Sequence, residues 1–304
     1  MNGIKAPLNQ PAQAGGAVQT DLDALSREAE GVARSIGFPP CPAILTKLVR
    51  ETRNDDPDFA KLGELISGDV SLAAALLKTV NSPFYSLRSK ATSIRTALAL
   101  LGLRNVTNLV TGLLLRQAFP VSAGAGMEEF WEYSSGIARA SSCLARHVRG
   151  VDGELAYTFA VFRDCGIPAM MSGFTDYLPP YAARNAGDGR PITEVEEEAF
   201  GIHHAFMGYY LAKEWLLPDP VCQMVLWHHD FPALRDGRAD IPASCARLIS
   251  LALVADHVYA AHHMGVACHE WSEHGEYALD ALGIDATDLE KLEPELTAAL
   301  QEKA

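Results

Sequence analysis

What this sequence does without narrows it first. It contains no uninterrupted apolar run near the roughly 20 residues that cross a bilayer, and its first residues lack the charged-then-apolar pattern of a secretory signal. A cytoplasmic protein that does not span a membrane is therefore expected. The cysteines, Cys41, Cys143, Cys165, Cys222, Cys245 and Cys268, are scattered with no Cys-x-x-Cys among them. Neither a thiolate zinc site nor a disulfide framework follows from that spacing, and buried thiols are expected. There is no P-loop, no Gly-x-Gly-x-x-Gly after a strand and no nucleophile elbow, which sets aside three common enzyme classes. Strand-period alternation of any length is missing as well, so the fold class is all-α.

Acidic residues are absent from one long stretch. Between Val70 and Met127 there is no Asp or Glu, while Lys78, Arg88, Lys90, Arg95, Arg104 and Arg116 all fall there. With a net charge of −13 overall, the rest of the chain carries −19. That overall sign opposes nucleic-acid binding, which needs a cationic footprint. The six cations form a candidate surface for an acidic partner or a small phosphate-bearing ligand. The plainer alternative is that they solvate the outer faces of helices whose other faces are core.

What is present reads as helix almost throughout. Residues 1–20 are rich in Gly, Pro, Ala and Gln and are expected to be a disordered leader. An N-terminal helical lobe over 21–118 follows. It opens with an amphipathic stretch from Leu22 to Ile36, and Phe38-Pro39-Pro40-Cys41-Pro42 makes a stiff extended connection. Ile44 to Arg50 and Leu72 to Val80 read as helices, and Asn81-Ser82-Pro83 is a break. Ser93 is a candidate cap for a helix that Gly102 stops. Val106, Leu109, Val110, Leu113 and Leu114 then give the clearest apolar stripe. Pro, Ser, Ala and Gly dominate from Phe119 to Gly126, the best boundary candidate.

The second lobe, 127–304, is expected to hold one long helix from Phe130 to Val148 and another from Glu154 to Phe162. Residues 172–191 read as loop and Glu194 to Phe200 as a short acidic helix. Helices over His204 to Trp215, Pro220 to His229 and Pro242 to His263 come next, and a tail helix near Asp288 to Leu300 ends the chain.

The chemistry-bearing residues lie in this second half. His203-His204, His228-His229 and Asp256-His257 put nitrogen or oxygen donors at helix ends or on helices, and Asp164 stands where an apolar helix stops. A divalent-metal site needs about four to six such donors converging from different helices. Spacing alone leaves two readings open, a convergent site or ordinary hydrogen-bonded imidazoles. Adjacent helical residues point roughly 100° apart, which argues against both members of a doublet serving one centre. Ser134-Ser135 and Ser141-Ser142 read as helix-packing residues, and Trp131 and Trp215 as core anchors.

Several segments taken together resemble a known family. They are Phe38-Pro39-Pro40-Cys41-Pro42-Ala43, Leu65-Ile66-Ser67-Gly68-Asp69, Leu76 through Tyr85 with its Asn81-Ser82-Pro83-Phe84, and Leu100-Leu101-Gly102-Leu103-Arg104. Phe130-Trp131, Gly201-Ile202-His203-His204, Trp215-Leu216-Leu217-Pro218 and His228-His229 complete them. The pattern resembles the HDOD family, the HD-related output domain proteins of bacterial signalling, over a unit spanning about 36–265. The resemblance implies two helical lobes, the second related to the HD metal-dependent phosphohydrolases.

Carried over position by position, the resemblance puts Tyr133 where that superfamily has a first histidine and Arg163 where it has the histidine of its His-Asp pair. Asp164, His204, His228, His229 and Asp256 fall at matching positions. A phenol is a poor ligand near neutral pH, and a guanidinium has no lone pair to give and repels a dication. The expectation is thus a degenerate metal site with no cofactor and no catalytic residue. Arg163 would replace a missing metal ion beside Asp164, alone or together with Asp256, a reading that fails if its guanidinium points to solvent more than about 6 Å from both carboxylates. The alternative is a helix C-terminal cation favoured by the helix dipole.

The function implied is a non-catalytic signalling output or scaffold module that binds a protein partner or a small ligand. A residual phosphohydrolase on nucleotides or cyclic dinucleotides is the first alternative. It would use Fe, Mn or Mg held by Asp164, His204, His228, His229 and Asp256, although the Gly-Tyr-Pro of cyclic-dinucleotide phosphodiesterases is replaced by Asp230-Phe231-Pro232. A phosphate-ligand sensor built on the basic first lobe is the second. Oligomeric state is left open by the sequence.

Overall fold

In the computed structural model the described residues are 30–34, 39–82, 85, 87, 89–119, 126–177, 179, 190–237, 241–264 and 269–301. The expected leader over 1–20, Phe38, Pro83, Phe84, Arg88 and Cys268 lie outside them, as does most of the expected loop over 172–191. Among the described residues there is helix and no strand.

Three early helices start where the sequence supplies a capping side chain. After α1 (Ala43–Thr52), α2 (Phe59–Ser67) opens on Asp58, whose carboxylate accepts from the amides of Ala60 and Lys61. α3 (Val70–Val80) opens on Asp69, which accepts from Leu72 N. Such caps are worth about 1 kcal/mol each because the first amides of a helix have no partner within it. At the end of α3, Asn81 donates Nδ2–H to Ala91 O at 2.8 Å and accepts from Ala91 N at 2.7 Å, joining α3 to the residue two before the next cap.

The expected cap at Ser93 accepts from Thr96 N at 3.0 Å and begins α4 (Ile94–Ala118). Gly102 is the break that the sequence indicates: its φ of 81° and ψ of 164° interrupt α4 with a kink. That conformation is accessible essentially to glycine alone. α1, α2 and α3 all pack on α4, which also reaches α6 of the second half.

The second half begins with α5 (Met127–Ala145), α6 (Gly153–Phe162) and α7 (Gly166–Gly173), followed by α8 (Ile192–Phe200) and α9 (His204–Glu214). α10 (Asp219–Trp227), the short α11 (Phe231–Arg235), α12 (Ala243–Met264), α13 (His269–Leu282) and α14 (Ala286–Gln301) complete it. α12 is the central helix, in contact with α5, α6, α10, α13 and α14. Trp131 and Trp215 are buried, and each indole donates to a backbone carbonyl, Phe119 O at 3.0 Å and Pro39 O at 3.3 Å. Both are anchors between distant segments.

One reading of the sequence needs correction: α7, α11 and α13 are helices that the hydrophobic pattern did not indicate. Two stretches, Ile94–Ala118 and Ala243–His263, have the length and mean hydropathy of a membrane-crossing helix, each interrupted by charged residues. Most of the second stretch is buried within this fold, where a core helix needs the same apolarity.

One close approach positions everything that follows. α7 and α9 cross at Gly166 and Gly208, so tightly that a Cβ on Gly166 would sit 1.9 Å from His204 O. One on Gly208 would meet Val225 Cγ1 at 2.9 Å. Only hydrogen fits at that crossing, and it brings the turn carrying Asp164 against the first residue of α9.

Candidate metal centre

Four side chains from three places in the chain meet. Asp164 lies in the turn between α6 and α7, His204 begins α9, and His228 and His229 follow the last residue of α10. One donor atom from each lies within 4.8 Å of all the others. His204 Nε2 is 2.9 Å from His229 Nε2 and 3.4 Å from His228 Nε2. Asp164 Oδ1 is 3.2 Å from His228 Nε2 and 3.6 Å from His204 Nε2. The adjacent histidines both reach the centre, their ring centroids 4.0 Å apart, although the backbone at His228 remains helical.

Each imidazole is held by its other nitrogen. His204 Nδ1 is 2.7 Å from Glu196 Oε2, His228 Nδ1 is 2.7 Å from Val225 O, and His229 Nδ1 is in short contact with Glu270 Oε1. An imidazole whose Nδ1–H is donated outward turns its Nε2 lone pair inward, the arrangement that orients metal-ligating histidines. Glu196 is itself fixed: it accepts from His204 N at 2.8 Å and from the Tyr177 hydroxyl at 2.7 Å. His203 is directed elsewhere, since its ring accepts from Phe206 N as the cap of α9.

A second group abuts the first through Asp164. The Arg163 guanidinium donates to Asp164 Oδ2 through Nε at 2.9 Å and Nη2 at 2.6 Å, and also bonds the Tyr133 hydroxyl. Its Nη2 is 3.9 Å from Asp256 Oδ2, and Tyr133 donates to Asp256 Oδ1 at 2.8 Å. Arg163 is therefore buried between two buried carboxylates and does not face solvent at a helix end. Asp256, expected as a fifth donor, stands with Arg163 and Tyr133 and not among the imidazoles. Its oxygens are taken by the phenol and the guanidinium.

Charges in this interior are strongly coupled. Burial alone would raise the Asp164 pKa, yet Arg163, then the bonds from His204 and His228, hold it well below the ordinary carboxylate range. Burial disfavours charge on His204, but Glu196 and then Asp164 outweigh it and lift its pKa to about 10. Burial and the neighbouring His229 push His228 down to about 3, so one ring is cationic and its neighbour neutral. Glu196, despite burial, is held at about 2 by His204, and Glu270 at about 2 by His229.

The donor set fits a divalent cation. Three imidazoles and one carboxylate suit zinc, iron, manganese or cobalt, and bonds of about 2.1 Å would separate tetrahedral donors by about 3.4 Å. The separations of 2.9, 3.2, 3.4 and 3.6 Å bracket that value. The carboxylates of Asp164 and Asp256 flank the Arg163 guanidinium and those of Glu196 and Glu270 hold His204 and His229, so that with His204 protonated the interior keeps an excess of two negative charges. An unmatched buried charge of that size calls for a cation.

The cations of the first half are arranged otherwise. Lys78, Lys90, Arg95, Arg104 and Arg116 are all exposed and dispersed along α3, the following turn and the length of α4. Arg104 pairs with Asp152 at 3.7 Å, and Arg116 lines a cleft of about 80 Å³ with Trp131, Ser135 and Tyr157.

An all-helical fold with a histidine–carboxylate cluster at its centre defines a class, the HD-type helical proteins, and comparison with known proteins narrows it. The HDOD domain model matches residues 38–231, well over half of the chain. The chain belongs to the HDOD family. Among solved structures it is similar to an HDOD domain protein of unknown function from Geobacter sulfurreducens, with TM-score 0.65, 22% identity and coverage of 94% of this chain and 98% of that one. A candidate signal transduction protein from Marinobacter aquaeolei VT8 gives TM-score 0.69 at 21% identity, covering 94% and 64%. A candidate phosphohydrolase from Shewanella amazonensis SB2B gives 0.66 at 20%, covering 92% and 98%. At such identities the likeness establishes the fold alone. An uncharacterised protein of Treponema pallidum (strain Nichols) is 25% identical over 204 residues, 64% of this chain but only 38% of that protein. The chain thus spans well under half of that relative's length.

Proposed function

We propose that this chain is an HDOD signal-transduction module that keeps a single divalent-metal centre, held by Asp164, His204, His228 and His229. One observation carries the proposal: three imidazoles, each with Nδ1 tethered outward, aim Nε2 at one another and at Asp164 Oδ1 within 4.8 Å. The charge that Glu196 and Asp164 stabilise on His204 is held by a proton in the metal-free chain, and a shared cation would take that proton's place among the three nitrogens and Asp164 Oδ1. Arg163 stands in for a second cation, its charge fixed beside Asp164 and Asp256, with Tyr133 completing its contacts.

This account moves away from a module with no metal. It keeps the signalling role in the cytoplasm, with a protein partner or small ligand as the output, and gives the centre the task of holding α9, the turn after α10 and the Asp164 turn in one arrangement. When bound, the cation would supply Lewis acidity to water or to a phosphate oxygen. Four protein donors leave positions on a six-coordinate ion, which favours a second reading, single-metal hydrolysis of a phosphate ester. The basic residues of the first half, being dispersed, offer less support for a phosphate sensor.

The test is elemental analysis of tag-free protein purified without chelator, repeated after incubation with Mn²⁺, Fe²⁺ or Zn²⁺ and desalting. About one equivalent of metal, lost in His204→Ala, is expected. Protein that retains none after incubation overturns the proposal. Release of phosphate from p-nitrophenyl phosphate by the loaded protein, absent in His204→Ala, decides for the second reading.

A further inference from the structure

α13 lies beyond residues 38–231, the part of the chain that the family model matches, yet it touches the centre from two sides. Glu270, in its first turn, accepts the His229 Nδ1 proton. One turn later His274 stacks on Phe231 with ring centroids 4.7 Å apart and planes at 22°, and Tyr277 meets Phe231 edge-on at 6.3 Å. Phe231 is two residues after His229, so α13 grips the ligand ring and the chain that carries it. Trp271 stacks on His257, the residue beside Asp256, at 4.0 Å and 6°. Arg235 lies over the Tyr277 ring at 5.4 Å and fastens α11 to the same helix.

The chemistry of imidazole gives these contacts a consequence. A neutral ring carries one proton on two nitrogens, and the hydrogen bond at one nitrogen decides which lone pair remains for a metal. Of the three rings here, His228 is oriented by a backbone carbonyl and His204 by Glu196 of α8, which lies within the matched residues. His229 alone is oriented by a side chain from outside them. Loss of that acceptor frees its ring to turn and removes a negative charge that makes the ring a stronger donor.

We infer that α13 is a working part of the metal centre, with Glu270 as the positioning residue for His229, so that the seating of α13 on Phe231 and His257 sets the affinity for the cation. This rests on the single-metal reading above. Any partner or chain segment that lifts α13 would weaken the centre without touching a ligand.

Cobalt supplies the test, because the visible absorption of bound Co²⁺ reports both affinity and coordination. Titration of the wild-type chain with Co²⁺ is compared with Glu270→Ala, Glu270→Gln and His274→Leu, each checked for native helicity and melting. Co²⁺ binding weakened about 10- to 100-fold with an altered spectrum is expected for Glu270→Ala. A smaller loss is expected for Glu270→Gln, whose amide oxygen still accepts the proton, and for His274→Leu, which loosens α13 only. A folded Glu270→Ala or Glu270→Gln that matches wild-type affinity and spectrum overturns the inference and leaves the metal centre standing. Failure of the wild-type chain to bind Co²⁺ overturns both.

Discussion

Arg163→Met exposes how much of this interior depends on one charge. Methionine keeps the length of the side chain and removes the guanidinium that lies 2.6 Å from Asp164 Oδ2 and 3.9 Å from Asp256 Oδ2. Both carboxylates are buried, so the variant leaves them without their cation. Breaking a buried pair in this way costs about 3–5 kcal/mol. In a chain of this size each kcal/mol moves the melting temperature by about 1.6 °C, so a fall of about 5–8 °C is expected at pH 7.5.

Calorimetric melting in chelator-treated buffer reads that fall directly, and its pH dependence carries a second signature. In the wild-type chain Asp164 is held well below the ordinary carboxylate range against the opposing effect of burial. A carboxylate depressed on folding stabilises at pH above its unfolded value and loses that contribution as the pH falls through the folded value. Without Arg163 the carboxylate takes up a proton at higher pH, so the gap between variant and wild type narrows toward pH 5. Asp256→Asn in the same background should return part of the loss, with a coupling of about 0.5–3 kcal/mol. A melting temperature within about 2 °C of wild type, or strict additivity of the two substitutions, would refute the reasoning.

Further predictions follow from the same geometry. In Tyr133→His/Arg163→His, the two residues that occupy the space beside Asp256 become donors, and bound metal should rise from about one to about two equivalents by elemental analysis; an unchanged ratio contradicts the substitution of Arg163 for a cation. Gly166→Ala places a methyl group 1.9 Å from His204 O, so α7 must move from α9. Co²⁺ affinity should fall at least tenfold, and the melting temperature should fall with it; unaltered binding would show that the crossing does not position the site. Because the His204 pKa stands near 10 and ligands bind metal as free bases, metal uptake at pH 7.5 should release about one proton. Calorimetry in buffers of different ionisation enthalpy counts that proton, and a count of zero contradicts the charge assigned to His204.

The sequence carries the fold in its local signals. Ser93 as a cap, Gly102 as a break and the stripe from Val106 to Leu114 are read from residue chemistry and reappear as the start, kink and buried face of α4. α13 escaped because its sequence, His-Glu-Trp-Ser-Glu-His-Gly-Glu-Tyr, is polar on most faces and carries a glycine. The indoles and imidazoles that seat it do not register as an apolar period. Arg163, Asp164, His204 and the doublet were legible because the resemblance names their positions. Glu196 was not, being one of four glutamates in the stretch from Glu194 to Glu198, where a solvated face is the natural reading. Only its burial against His204 distinguishes it. The doublet shows the limit of periodicity arguments, since the backbone at His228 is still helical and both rings reach one centre, one tethered to Val225 O and the other to Glu270.

An anomalous difference map tests the central claim most directly. Crystals of tag-free protein loaded with Mn²⁺, Fe²⁺ or Zn²⁺ and measured at the absorption edge of that metal should show one peak, bonded to Asp164 Oδ1 and to Nε2 of His204, His228 and His229, with the Arg163 guanidinium still seated between Asp164 and Asp256. No peak among those four atoms, or a second peak in the place of the guanidinium, would contradict the account.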